Sequence, residues 1–520
     1  MRTKRQTPFD MNRPGALQEI RPVDVRVVNR LRITAVHLVF TSRDGRRCAV
    51  YAAMAVPKGR EPHPLVIHVP GGGQTVHDDD LAFWVGHGFA CVAFDWQVGL
   101  FNHDPARKSG WPAGVVLQAE PFERWSQFII PLAVEAVGVV IDWATKDRRI
   151  ASDRIGITGI SWGGYLTWVA NAYEPRLKAV VPVYGCGGLF DPAHACRMPV
   201  SGEVAKRWAS DWDPLALAGR QLSPVCWLSA TNDFFGWWRH GDAVLNAMRL
   251  PHRRAHHPNN SHIVQPEDAA TAVAWMKHYL AGGPALPAEP RWSRKGLKVD
   301  RPVEVASVEE WWTPSAGADD MRCWVPGAAP AEARARLARV YYRAGYALTT
   351  PVQVLKPGQR PGADAGDLWT DARAGLGYCS MVESGTQLHG KKARVVPLPG
   401  DPSRVRVLGH NAAIMLRHFA DPRFNRPGFA GLRLRLTTTA TPVPKVNICL
   451  NYQTAGRKPE RREVRGTAPV AADGTVELSR RTMPFLPPDV AWAKVLFIWM
   501  DGFPFSEFIL GPVERMKGKT

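Results

Sequence analysis

Between residues 31 and 281, short apolar runs rich in β-branched residues alternate with stretches of helical periodicity, and this alternation constrains the fold more than any other feature. Leu31–Thr41, Cys48–Val56, Pro64–Val69, Phe89–Phe94, Arg154–Ile160, Ala179–Tyr184, Val225–Ala230 and Arg254–His257 read as strands. Several are almost entirely apolar, as strands covered on both faces must be. Helical patterns fall near 77–87, 124–146, 162–173, 240–249 and 266–281. The last opens on Pro266, Glu267 and Asp268, a favourable first turn, and repeats Ala269, Val273, Met276 and Leu280 at helical spacing. The pattern predicts an α/β domain with a doubly wound, mostly parallel sheet over residues 31–283, after an N-terminal extension of residues 1–30. Segments 97–123 and 186–222 mix Trp and Pro with polar residues and read as insertions lying over that sheet.

The run GGPALPAEP at 282–290 marks a linker by its Gly and Pro content. Beyond it, alternating stretches such as Ala338–Ala344, Gly431–Thr437, Val446–Tyr452 and Lys494–Trp499 indicate all-β structure. A second break lies in KPGQRPGADAGD, residues 356–367. The expectation is a small Ig-like β-sandwich over 291–356 and a larger sandwich of jelly-roll kind over 368–517.

Composition removes several functional classes. The formal net charge of +19 attracts anions, but the basic residues are scattered and no finger, basic zipper or RNA-binding motif is present, so no nucleic-acid partner is expected. None of the eight Cys forms a C-x-x-C pair, so no zinc ligand set or redox motif is visible. Cys91 and Cys226 sit in apolar strand-like runs and read as buried free thiols. The most apolar stretch, Phe128–Ile141, is short for a membrane span and carries Glu135, so it reads as a buried helix with no membrane partner. The N-terminus lacks the apolar core of a signal peptide; the expected location is cytoplasmic, with export left open.

The chemistry-bearing segment is Gly159-Ile-Ser161-Trp162-Gly163-Gly164, between an apolar β-branched run and a helical pattern. This is the context of a nucleophile elbow, in which glycines two residues either side of the serine relieve a cramped strand-to-helix turn. Ser161 is the candidate nucleophile, and the Trp162 N–H points where an oxyanion would develop. Asp233, at the end of the run Val225–Asp233, and His262, in a loop before the last helical pattern, complete the order Ser, Asp, His. An imidazole there can accept the serine proton while a carboxylate fixes its tautomer. His256 and His257 are rival bases pinned at a strand, and Asp191 and Asp242 are rival acids that end no strand. A second oxyanion donor is expected from Gly72 or Gly73, in the glycine loop after Pro64–Val69. Trp96, Phe234, Phe235 and Trp237 are candidate walls of a substrate pocket, against the alternative of plain core packing.

Taken together, the GGG loop, the G-I-S-W-G-G turn, the N-D-F-F segment and the S-H before the last helix resemble the acetyl xylan esterase and dienelactone hydrolase-like branch of the α/β-hydrolases, over residues 31–281. The resemblance implies carboxylic-ester hydrolysis through an acyl-enzyme, without metal or organic cofactor, on a small-molecule or carbohydrate ester. By position it assigns Ser161, Asp233 and His262 to the triad. Two departures stand out: Pro70 occupies the place of the His that opens an H-G-G-G loop, and the nucleophile is Ser rather than the Cys of true dienelactone hydrolases. A peptidase or amidase using the same three residues is the alternative reading.

Overall fold

The computed structural model describes residues 17–59, 61–97, 105–115, 123–124, 127–192, 194, 196–198, 200–315, 321–356, 371, 373–380, 394–408, 412–423, 428–438, 443–454, 460–488, 490–492, 495–502 and 507–517. Its first part is built on a nine-stranded sheet of strands β1 (Leu17–Val28), β2 (Leu31–Thr41), β3 (Arg47–Ala55), β4 (His63–Val69), β5 (Ala90–Phe94), β6 (Ile150–Ile160), β7 (Leu177–Val183), β8 (Val225–Ala230) and β9 (His252–His257). Their spatial order is β1-β2-β3-β5-β4-β6-β7-β8-β9. Strands β5 to β9 and β4 run parallel, while β1, β2 and β3 are antiparallel. Alternate residues feed opposite faces, as strand geometry requires. Leu65, Ile67 and Val69 of β4 join one core, and Val66 joins the other.

Helices close both faces. α2 (Ile129–Ala144), α3 (Trp162–Asn171) and α6 (Trp238–Ala247) contribute to the first core, and α1 (Asp78–Gly86) and α7 (Pro266–Ala281) to the second. The shorter α4 (Gly202–Asp211) and α5 (Pro214–Leu217) lie in the segment 186–222. None of the helices among the described residues is long and apolar enough to cross a membrane. Cys91 and Cys226 are buried in β5 and β8, and burial pushes both thiols up.

Two boundaries differ from the sequence reading. Residues 17–28 are not an extension outside the domain: β1 pairs along β2 as its edge strand, and Arg26 of β1 forms an ion pair with Asp78 of α1 at 2.5 Å. Residues 291–356 do not form a sandwich. They form a hairpin, Arg291–Ser293 with Gly296–Lys298, and one antiparallel sheet containing Val305–Thr313, Ala335–Tyr342 and Ala347–Thr349. The second layer comes from the α/β domain: Val340, Tyr342 and Leu348 share a core with Val273, Trp275 and Met276 of α7. Further on, two five-stranded antiparallel sheets face each other across Val405, Leu432, Leu434, Ile448, Leu450, Ile498, Phe508 and Leu510. One has the order Leu376–Ser380, Ala412–Leu416, Val495–Asp501, Lys445–Gln453, Arg461–Pro469.

Two of the carboxyls buried in the α/β domain, Asp95 and Glu135, have no cationic side chain as hydrogen-bond partner among the described residues. Asp95, after β5, accepts the Ser109 N–H at 2.8 Å, and Glu135 of α2 accepts the Arg43 N–H at 2.9 Å. Burial raises both to about 7. A carboxyl raised in the fold binds its proton more tightly folded than unfolded, so its contribution is fully present below about pH 4 and is lost as pH climbs towards 7. We therefore expect Asp95→Asn, which keeps an acceptor for Ser109, to gain stability relative to the parent as pH rises from 4 to 7, with no further gain above. A melting-temperature difference that is flat across that window would contradict the assignment.

Candidate active site

Strand β6 passes into α3 through a turn that holds Ser161 at φ 59° and ψ −123°, a conformation non-glycine residues rarely adopt. The turn is possible because backbone stands where side chains would otherwise be. A Cβ on Gly159 would meet the Gly163 carbonyl, and one on Gly163 would collide with Val69 O and Pro70 O. A Cβ on Gly164 would strike Val183 O, and one on Gly185 would strike Tyr165 N. Hydrogen bonds then lock the turn: Ser161 N–H donates to Val183 O at 2.8 Å and Tyr165 N–H to Ser161 O at 2.9 Å. The serine side chain is left at the mouth of the turn, half-buried, ahead of the helix N-terminus.

Asp233 follows β8 and is 1% exposed. Its Oδ1 accepts the Phe235 N–H at 2.8 Å and also the Gly236 N–H, which fixes the carboxylate plane. Its Oδ2 lies 2.6 Å from His262 Nδ1. An ionised carboxylate only accepts, so the proton of that bond sits on Nδ1 and Nε2 is left as the basic nitrogen. The imidazole is held between two rings, Tyr184 at 4.9 Å and Phe234 at 4.6 Å. Tyr184 directly follows Val183, the residue whose carbonyl binds Ser161 N–H, so the imidazole stands on the same rim of the sheet as the elbow.

The glycine loop after β4 abuts the elbow, with Gly71 against Ile160 O. Its amides are not equivalent. Gly71 N–H donates to Gln74 Oε1 at 3.1 Å, and Gly73 N–H to the buried Gln97 Oε1 at 2.7 Å. Gly73 is thereby corrected as an oxyanion donor: its hydrogen is already committed. Gly72 N–H and Trp162 N–H donate to no acceptor among the described residues. Pro70, in the place of the His of an H-G-G-G loop, accepts Trp96 Nε1–H at 2.8 Å through its carbonyl, which ties the loop down from below.

That bond also corrects the place of Trp96. It has no exposed surface and supports the loop rather than lining a pocket. Phe235 and Trp237 are likewise buried, Phe235 at 4.8 Å from Trp162 and Trp237 stacked at 4.8 Å on His194. Phe234, 39% exposed, is the member of the group that faces solvent beside His262. Segment 186–222 places Trp208 next to Trp162 and Phe190 against Trp208, with Trp208 Nε1–H donating to Tyr165 Oη at 2.6 Å. Alternating polarity gave no means of assigning these aromatics to one side or the other.

The rival residues have other partners. His256 is fully buried with Nε2 3.1 Å from Asp242 Oδ1, and Asp242 also binds Arg254 at 2.6 Å and the Val352 N–H at 3.0 Å. His257 faces Asp268 at 3.5 Å, and Asp191 faces His240 at 3.3 Å. No group of three metal-ligating side chains occurs among the described residues.

Residues 127–216, which contain the elbow, match the model of the X-Pro dipeptidyl-peptidase (S15) family. An uncharacterized 31.7 kDa Escherichia coli protein from the traX–finO intergenic region is 31% identical over 129 residues, 24% of this chain and 38% of that protein. A Salmonella typhi protein provisionally named carboxymethylenebutenolidase is 46% identical over 46 residues, 9% of this chain and 17% of that protein. The chain thus spans well under half the length of these relatives. Acetyl xylan esterase 1 of Thermoanaerobacterium sp. JW/SL YS485 superposes with a TM-score of 0.40 at 18% identity, over 50% of this chain and 87% of that one. The chain resembles the serine hydrolases of the α/β-hydrolase superfamily.

Two outcomes follow from the geometry. Gly163→Ala forces a methyl group into Val69 O and Pro70 O, so a loss of about 1–3 kcal/mol or more in denaturant unfolding is expected. His262→Ala should lower turnover by at least about 1000-fold, whereas folded His256→Gln should keep its rate per molecule and lose stability instead. A His256 variant as inactive as the His262 one would reverse the choice of base.

Proposed function

We propose that this chain is a serine hydrolase that cleaves carboxylic esters through an acyl-enzyme, releasing a small acyl group from a carbohydrate or small-molecule alcohol. The observation that carries the reading is the pair of buried Asp233 and partly exposed His262, whose imidazole packs on Tyr184 at the rim where the strained Ser161 turn emerges. In this reading Ser161 Oγ attacks the ester carbonyl as its proton passes to His262 Nε2. Asp233 holds the imidazole by its Nδ1–H and stabilises the imidazolium that forms. The negative charge on the carbonyl oxygen is met by the Trp162 N–H, at the positive end of α3, and by the Gly72 N–H. The tetrahedral intermediate collapses, the C–O bond breaks, and the alcohol leaves with the proton from His262. Water, activated by the same nitrogen, then releases the acid and restores Ser161.

The carbohydrate part of the reading draws support from the C-terminal sheets. Asn447, Asn451, Glu463, Arg465, Trp499 and Asp501 line a groove on the outer face of one of them. An indole among carboxamides and charged groups offers both a stacking surface and hydroxyl partners. The match of residues 127–216 to the X-Pro dipeptidyl-peptidase model favours a second reading, amide or peptide cleavage on the same three residues.

A direct comparison separates the two. We expect kcat/KM on p-nitrophenyl acetate and acetylated xylan to exceed that on a glycyl-prolyl p-nitroanilide by at least about 100-fold, and Ser161→Ala to lose at least about 1000-fold on every substrate. Preference for the anilide would move the assignment to the peptidase. Activity unchanged in Ser161→Ala would remove the nucleophile altogether.

A further inference from the structure

Strand β9 is the last strand of the nine-stranded sheet, so the loop that leaves it at His257 and carries His262 has sheet neighbours on one side only. Its other side rests on residues from the C-terminal β region, and the contact is made by Asn259. This residue is buried and adopts φ 56°, the left-handed conformation that Asn tolerates better than other side-chain-bearing residues. Its carboxamide pairs with the main chain of Trp324: Nδ2 donates to Trp324 O at 2.8 Å, and Oδ1 accepts Trp324 N–H at 2.9 Å. The second Nδ2 hydrogen goes to Arg373 O at 2.9 Å. The Asn259 carbonyl accepts Arg417 Nη1–H at 2.7 Å, from a guanidinium that is itself buried.

The same network reaches the acid. Asn259 N–H donates to Thr231 Oγ1 at 2.9 Å, two residues before Asp233. Asn232, next to Asp233, sends its N–H to Asn260 O at 3.1 Å and its Nδ2–H to Arg322 O at 2.6 Å. The acid-bearing and base-bearing loops are therefore stitched to one another and, through Arg322, Trp324, Arg373 and Arg417, to structure that lies beyond the α/β domain in sequence.

We propose that Asn259, backed by Arg417, is a positioning residue for the catalytic base, so that the C-terminal β region is a working part of the active site. The proposal rests on the reading of Ser161, Asp233 and His262 as the reacting set. Its chemistry is specific to a carboxamide. An Asp at 259 would turn a carboxylate towards two carbonyl oxygens and supply neither donor. A Gly would keep the left-handed backbone but lose all three side-chain bonds.

The test uses the full chain, with kcat expressed per active site after titration to completion with a fluorophosphonate. A loss of fold alone reduces the number of titrated sites, while misplacement of His262 reduces turnover at each. For Asn259→Gly and Asn259→Asp we expect kcat per site to fall about 100-fold with KM within about threefold of the parent. Arg417→Lys, which leaves the Asn259 side chain in place, should lose turnover in the same direction and by less; it carries the test should the Asn259 variants not fold. In parallel, the downfield proton resonance of the His262 Nδ1–H···Asp233 bond should weaken or vanish in the Asn259 variants. Turnover per site within about threefold of the parent in a folded Asn259 or Arg417 variant, with the resonance intact, would overturn the proposal. A parent protein that shows the resonance but neither hydrolyses esters or amides nor takes the label would instead overturn the functional reading. The loss of that resonance in the variants would still uphold the positioning role.

Discussion

The structure turns on how closely main chain approaches main chain around Ser161. A residue held at φ 59° costs of order 1–3 kcal/mol, and the turn survives because its surroundings leave it no alternative. β4, β6 and β7 are adjacent parallel strands, and the glycines at 159, 163, 164 and 185 let their ends and the start of α3 close to backbone contact. With that contact made, the α3 N-terminus, the glycine loop after β4 and the end of β7 all converge on the serine. The placement of the Trp162 and Gly72 N–H groups and of the Tyr184 ring against His262 follows from the same closeness. No side chain larger than hydrogen could occupy these glycine positions without separating the strands.

The edge of the sheet is held by other means. β9 is short, and five of its six residues are Arg or His, all but Ala255. Arg254 and His256 converge on Asp242, and Arg339, from the small β-sheet, binds Asp268 at 2.9 Å and His256 O at 2.9 Å while fully buried. Burying such charges is expensive unless every hydrogen finds a partner, and removing one partner leaves the other stranded. The pairs contribute placement more than net stability. They fix the small sheet on α7 and on the end of β9, which covers an edge that would otherwise stay open to pairing.

Much of this was legible in the sequence, and the parts that were not share a cause. Strands β2 to β8 announce themselves as apolar runs, Ser161 and Asp233 stand just past the ends of two of them, and His262 stands in the loop before the last helical pattern; local pattern reports local structure. β1 was missed because LQEIRPVDVRVV mixes exposed and half-buried residues around Pro22, as an edge strand does. Residues 305–349 carry the alternation of a half-buried sheet, and alternation cannot say whether the covering layer is another sheet or α7. The commitment of Gly73 N–H to Gln97, and the descent of Trp96 beneath Pro70, depend on contacts between β4 and β5 that leave no trace in the spacing of either. Asn259 read as an ordinary loop residue because its partners, at 324, 373 and 417, lie far along the chain.

The two halves of the site therefore differ in how they are supported. Ser161 sits at the centre of the sheet, with strands on both sides and a helix behind, and its geometry follows from the α/β domain alone. His262 follows the edge strand, where a loop has half as many neighbours and correspondingly more freedom. A base must be held within a few tenths of an ångström of its working position for proton transfer to keep pace with attack. That precision has to be imported where the sheet cannot supply it, and the carboxamide of Asn259 is the means of import. A residue whose side-chain donors and acceptor are all taken by main-chain groups of another module transmits that module's rigidity to the loop. The C-terminal β region thereby braces the weaker half of the site.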